Sequence, residues 1–304
     1  MGGLSQLVQS LRAEDWLTPK LRESAETRAP GWGRVRTYVS PSAGGSDCAR
    51  DAQLAMLGYD SGFSEKSRDR MDNGIYGHRR ITEKYRRAGV LVADSLRITQ
   101  FVDGSTSFED EMHGEKLGDY VEERGAVTWT GEMDVVVGRS PGATTVHVGD
   151  LKTTSSHQYV ALPRQHTDRV AMGRLLLNTQ PRYVRQLARY VLKLREVAEL
   201  WRPGTLVSSE AFIHWENTDS QDYRVTWFTV DDHLAAEATR NPELAVSASL
   251  RGEVIERPFA RGSRTCKGCY RRAACDALED GDEDTWERAR EALETVRTSG
   301  LSMT

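Results

Sequence analysis

The sequence predicts an α/β domain with a mixed sheet, and three observations carry that prediction. Four strand-like segments follow one another between Val90 and Thr154. A long amphipathic helix, "PRYVRQLARYVLKLREVAELW", comes next. Two further strands and another helix then complete the body. The order helix, strands, helix, strand suggests the mixed sheet.

In chain order, "LSQLVQSLRAEDWL" reads as a short amphipathic helix and "RAPGWGRVRTYVSPSAGGSD" as loop. Asp47 to Gly58 reads as a helix that contains Cys48. "RDRMDNGIYGHRRITEKYRRAG" reads as a longer helix stopped by Gly89. The four strands are "VLVADSLRITQF", "TSFEDEMH", "AVTWTGEMDVVVG" and "TTVHVGDLKTT", with "SPGA" turning the last two into a hairpin. Pro181 opens the long helix. "TLVSSEAFIHW" and "YRVTWFTV" are strands, and a helix runs from about Asp231 to Leu250. A cysteine-bearing segment and an acidic, helical tail close the chain. There is no internal repeat and no G-x-x-x-x-G-K-[ST] stretch, so no nucleotide-driven motor of that kind.

The 304 residues carry a net charge of −4 and are 38% hydrophobic. No apolar run reaches transmembrane length, and the N-terminus lacks the features of a secretory signal, so a cytoplasmic location and no membrane partner are expected. The net charge excludes a uniformly basic nucleic-acid binder; any polyanion must meet a local patch. Lys152 is one of only seven lysines.

Lys152 stands in "HVGDLKTT". Strand alternation puts Val146, Val148, Asp150 and Lys152 on one face, so an acid and a base sit one pleat apart. On the preceding strand Glu132, Asp134 and Val136 share a face, which places Asp134 and Asp150 on adjacent strands. Two converging carboxylates repel unless a cation lies between them, and hard oxygen ligands favour Mg²⁺ or Mn²⁺. Such a cation polarises a phosphoryl oxygen, and a lysine beside it neutralises charge developing on phosphate. Taken alone, D-x-K is usually an ordinary salt bridge; its surroundings give it weight. Met71, Ile75, His78 and Tyr85 form one stripe on their helix, which turns His78 inward, either as a satisfied core histidine, the commoner case, or, delivered to the carboxylate edge, as a third metal ligand. Gly74, one turn earlier, suits a helix backbone that must approach the sheet closely. Gln186, Tyr190 and Lys193 follow at i, i+4 and i+7 among Arg182, Arg185 and Arg189. That helix face reads either as a solvated basic surface or as a phosphate-tracking face with an amide and a tyrosine turned into the site.

The series Gly74-x-x-x-His78, Gly131-x-x-Asp134, Asp150-Leu151-Lys152 and Gln186-x-x-x-Tyr190 resembles the motifs of the RecB-like branch of the PD-(D/E)XK nucleases. The resemblance implies a restriction-endonuclease-like core, a central mixed sheet flanked by helices. It implies that His78, Asp134, Asp150 and the Leu151 carbonyl bind the metal, with Asp134, Asp150 and Lys152 catalytic. Arg182, Arg185, Gln186, Arg189, Tyr190 and Lys193 would contact DNA.

Cys266-x2-Cys269-x5-Cys275 is a tight cluster, and Cys48 lies 218 residues before Cys266. Disulfides are not expected in a cytosolic chain, and four thiolates suit zinc or an iron–sulfur cluster. One early and three late cysteines resemble the iron–sulfur nucleases of the same superfamily, the CRISPR-associated exonuclease of the Cas-four type and the AddB nuclease domain. This implies a [4Fe–4S] cluster on Cys48, Cys266, Cys269 and Cys275, in a lobe that joins the N- and C-terminal segments.

Residues 1–44 are therefore an N-terminal helix and loop, 45–276 the nuclease domain, and 277–304 an acidic tail, solvated or partner-docking. The function implied is metal-dependent exonuclease action on single-stranded DNA ends in recombination, repair or phage and mobile-element DNA processing, with a recombination protein as partner. The alternatives are a CRISPR adaptation nuclease working beside an integrase, and a non-catalytic DNA-binding scaffold.

Overall fold

A computed structural model describes residues 29–62, 65–110 and 127–301. The helix expected over residues 4–17 and the end of the strand "TSFEDEMH" lie outside them.

A seven-stranded mixed sheet forms the centre. After a two-residue pair, β1 (Gly31–Trp32) with β2 (Tyr59–Asp60), its strands are β3 (Leu91–Phe101), β4 (Thr106–Glu109), β5 (Val127–Val137), β6 (Thr145–Thr154), β7 (Leu206–Val207), β8 (Glu210–Asn217) and β9 (Tyr223–Thr229). The order is β4-β3-β5-β6-β8-β9, with β7 beside the start of β6. β6 runs parallel to β7 and β8, and the other neighbours are antiparallel. The segment expected as one strand from Thr205 to Trp215 is thus split in two. The parallel pairing requires a crossover. It is made by α4 (Ser156–Val160), α5 (Arg169–Thr179) and α6 (Pro181–Trp201), the last beginning at its proline as expected.

Strand alternation decides what each face of the sheet meets. Val146 and Val148 of β6 pack with Leu187, Val191 and Leu194 of α6. Leu151, one step out of phase, packs on the other face with Ile81 and Tyr85 of α3 (Glu65–Arg87), together with Val135 and Phe212. Only the C-terminal half of α3 is anchored in this way. Met71 and Ile75, expected on the inward stripe with His78, are 53% and 51% exposed.

Residues 39–60 meet the later helices in a second layer. α1 (Pro41–Gly44), α2 (Ala49–Met56), α7 (Asp232–Leu250) and α10 (Glu283–Leu301) pack around Val39, Ala52, Met56, Leu57, Ala245, Leu293 and Val296; α8 (Arg264–Lys267) leads into α9 (Arg272–Glu279). Leu54 and Tyr59 join Ala274, Leu278 and Ala289 beside it. Gln53, fully buried, donates to the Ser249 hydroxyl (3.0 Å) and the Glu253 carbonyl (2.7 Å) and accepts from the Ile255 N–H (2.8 Å). The acidic tail is therefore helical as expected, but one face of it is core rather than solvated surface. Burying Leu293 and Val296 contributes about 1.5–3 kcal/mol each.

Candidate active site

β6 changes partner along its length. His147, Val148 and Gly149 pair with Val137, Val136 and Val135 of β5, whereas Gly149 to Thr154 pair with Phe212 to Asn217 of β8. Asp134 and Asp150 are the first residues beyond the β5–β6 pairing, so they stand in the fork where the two strands part. The Leu151 N–H, freed from β5, donates to Asp134 Oδ2 at 2.7 Å. Lys152 Nζ donates to Asp150 Oδ1 at 2.8 Å and lies 3.9 Å from Asp134 Oδ2, bridging the carboxylates. His78 Nδ1 is 3.7 Å from Asp134 Oδ1 and also engages the Leu151 backbone. Asp134, Asp150, Lys152, His78 and Leu151 therefore come together as the motif series expected.

The helix that delivers His78 does approach the sheet closely, but not at Gly74. A Cβ on Gly74 would meet open space, whereas one on Gly77 would collide with the Thr153 methyl group of β6.

Burial dominates the electrostatics. Asp150, 1% exposed, is pushed up to about 7 by desolvation; the Lys152 charge opposes the shift and Asp134 adds to it. Asp134 is also raised, chiefly by burial, against the pull of Lys152 and the Leu151 N–H. Burial works against the Lys152 ammonium, but Asp150 and Asp134 outweigh it and raise its pKa. His78 is lowered by burial and then by Lys152, which favours the neutral, ligating imidazole. One oxygen of Asp150, Oδ2, is buried with no hydrogen-bond partner among the described residues. An orphaned, desolvated carboxylate oxygen beside a second carboxylate is the chemistry a hard cation satisfies. The side chains do not form a finished cage: among the described residues no group of three or more His, Cys, Asp or Glu side chains is placed to hold a metal ion.

The basic face of α6 is largely spent on the protein itself. Arg185 pairs with Asp47 and with Glu237 (3.2 Å). Arg189 donates to the Ser40 and Val39 carbonyls at 2.9 and 2.8 Å, and burial pulls it down to about 10. Lys193 donates to Gln100 (2.8 Å) and Glu196 (2.6 Å). These three brace α6 against its neighbours instead of forming a solvated phosphate track. Gln186 Nε2 donates to the Tyr190 hydroxyl at 3.1 Å, and Tyr190 is raised chiefly by burial, with Asp134 and Asp150 adding to the shift. Sequence reasoning missed Tyr183, whose ring centroid lies 5.2 Å from Lys152 Nζ. The signal was present, since Tyr183 precedes Gln186 and Tyr190 on the same helical stripe.

No protein-family model and no curated protein matches the chain.

Cys48, Cys266, Cys269 and Cys275 line one pocket with Leu54 and Phe259, across the long separation in sequence. All four are free thiols. Cys269 Sγ is 3.3 Å from Asp51 Oδ1; burial and that carboxylate push its pKa up to about 12. Cys48 is raised by burial, while Arg257 directs Nε and Nη2 at Cys275 Sγ, each at 3.2 Å. The donor set fits a soft metal or a cluster, although the thiols too fall outside ligating placement.

Among the described residues no helix is long and apolar enough to cross a membrane.

Proposed function

We propose that this protein is a metal-dependent deoxyribonuclease of the RecB-like PD-(D/E)XK type. In this reading it is an exonuclease on single-stranded DNA ends, acting in cytoplasmic recombination, repair or mobile-element DNA processing. The observation that carries the reading is the fork: Asp134 and Asp150 face each other across parting strands, Lys152 bridges them, and Asp150 Oδ2 has no partner. Asp134, Asp150, His78 and the Leu151 carbonyl would hold Mg²⁺ or Mn²⁺, which would polarise a phosphoryl oxygen and make water more acidic.

The chain's own residues would do the rest. Asp134 and Asp150 would hold the cation as carboxylates, its charge opposing the desolvation that raises both. Lys152, kept as an ammonium by the two carboxylates, acts as a fixed charge on the developing phosphorane oxygens and not as a general base. Gln186 and Tyr190 form a hydrogen-bonded pair along the same helix and brace the site wall.

The four thiols, gathered in one pocket, would hold a [4Fe–4S] cluster that ties α2 to the segment from Arg264 to Glu279. Metal binding energy at such a site becomes folding energy.

The test is cleavage of end-labelled single- and double-stranded DNA with Mg²⁺, Mn²⁺ or chelator. Single strands should be degraded from an end, with either cation and not with chelator. A chain that binds DNA but leaves it intact under both cations would be a scaffold, and the nuclease reading would fall.

A further inference from the structure

Lys152 carries its charge on a flexible four-carbon stem, so a fixed charge at the fork needs a seat for the ammonium. The carboxylates supply part of it. Asp150 Oδ1 accepts at 2.8 Å, whereas Asp134 Oδ2, at 3.9 Å, is beyond hydrogen-bonding distance. The remaining partner is aromatic. The Tyr183 ring centroid lies 5.2 Å from Lys152 Nζ, within reach of a cation–π contact.

The ring is itself held in place. Tyr183 stands in the first turn of α6 and packs against the main core. It meets Trp215 edge to face, with ring centroids 5.8 Å apart and planes at 69°. Trp215 is 3% exposed and is the β8 residue paired with Lys152 in the β6–β8 register. β6, β8 and α6 thus each bring one side chain to this point, and the lysine is the flexible member of the three. The Tyr183 hydroxyl makes no hydrogen bond among the described residues, so the face of the ring is what this tyrosine brings to the fork. A cation between the carboxylates would draw on their charge and repel the ammonium. The ring contact depends on neither carboxylate.

We infer that Tyr183 is a positioning residue for strand cleavage, its ring holding the Lys152 ammonium at the fork. The inference rests on the nuclease reading and adds a residue to that site.

The experiment uses the full chain with phenylalanine at position 183, and then phenylalanine bearing one, two or three fluorines. Fluorine draws charge from the ring face and leaves the shape of the ring nearly unchanged. Tyr183→Phe should keep the parental kcat. Along the fluorine series kcat should fall stepwise, to roughly a tenth with three fluorines. KM should stay constant, because the lysine acts on charge that develops only in the transition state. Melting curves should coincide, which separates this effect from loss of the fold. The contact itself is read by NMR on metal-free protein labelled with carbon-13 lysine. Lys152 is one of only seven lysines. The Tyr183 ring current should move its ε-methylene signal upfield, and loss of that signal in Lys152→Ala assigns it. The upfield shift should persist in Tyr183→Phe and vanish in Tyr183→Leu. Parental kcat throughout the fluorine series, or no upfield lysine signal in the parent, would overturn the role of Tyr183 while leaving the nuclease reading standing. A rising KM at constant kcat would place the ring on the substrate and overturn its action through Lys152. No cleavage by the parent with either Mg²⁺ or Mn²⁺ would overturn both readings.

Discussion

The carboxylate fork and the thiol pocket are both places where like groups are forced together, yet the chain builds them in opposite ways. The fork comes from two strands joined by a short hairpin; β-register alone sets Asp134 opposite Asp150. The pocket comes from α2 and a segment more than two hundred positions later, and it exists only once the second layer has packed. The fork is charged and bridged by Lys152, whereas burial holds Cys48 and Cys269 above the usual thiol range. A site made by local register can lose a side chain and keep its backbone. One that joins α2 to the segment from Arg264 to Glu279 is itself part of what holds them together. Damage to the fork should therefore appear in chemistry, and damage to the pocket in stability.

The largest effect should be chemical. Lys152→Ala should cut the cleavage rate by at least about 10²–10³-fold, as for loss of one preorganised electrostatic contact to the transition state. Asp150→Ala and Asp134→Ala should lose still more, and none of the three should lower the melting temperature appreciably. Cleavage by Lys152→Ala at the parental rate would remove that residue from the mechanism. At the pocket the pattern inverts. Cys48→Ala should lose iron and sulfide, measured on protein purified without air, and melt several degrees lower, at roughly 2–4 °C per kcal/mol for a chain of this size. Stoichiometric zinc without sulfide would replace the cluster by a zinc staple. An unchanged melting curve would erase the contrast between the two regions.

What sequence could reveal follows the same division. β5, β6 and α6 were legible because alternation, a turn and an N-terminal proline are local signals, and they carry Asp134, Asp150 and Lys152. That the four cysteines share one pocket was hinted at only by the close spacing of the last three. α5 was missed because apolar residues lie all around it, although Asp168 caps it through the Val170 and Ala171 N–H groups and offered a start signal. The fate of the α6 arginines was not legible. Their partners, Asp47, Glu237 and the Val39 and Ser40 carbonyls, are distant in sequence, so only tertiary packing shows that the charges are taken. The buried face of α10 was hidden by its acidic composition.

A smaller effect separates the fork's charge from its scaffold. Asp150 keeps its proton to about pH 7 in the folded chain because it is buried, whereas an unfolded aspartate loses it near 3.9. Between those values the native state binds more protons than the unfolded one, so this residue's contribution to stability falls as pH rises and is gone above about 7. Asp150→Asn should remove that slope and, without divalent cation, melt higher than wild type at pH 8. Mg²⁺ should raise the wild-type melting temperature at pH 8 and leave the variant unchanged, since only the carboxylate gains a ligand. A difference between the two proteins that does not change with pH would mean that Asp150 is ionised throughout.

The smallest effect concerns two glycines one turn apart on the helix that carries His78. Gly74 meets nothing within van der Waals range, so Gly74→Ala should gain helix propensity, about 0.8–1 kcal/mol, with activity unchanged. Gly77→Ala gains the same propensity but drives a methyl group into Thr153, two residues past Leu151 on β6. The helix must then lift from the strand, carrying His78 away from Asp134, from which it now stands 3.7 Å. Gly77→Ala should therefore lose metal affinity, read as a higher Mn²⁺ concentration for half-maximal cleavage. Thr153→Ser, by removing the obstructing methyl group, should restore it in the double variant. The thiol pocket lies outside this contact, so iron and sulfide content should be the same in all three proteins. Equal Mn²⁺ dependence for Gly74→Ala and Gly77→Ala would show that helix proximity does not set the histidine, and His78 would leave the ligand set.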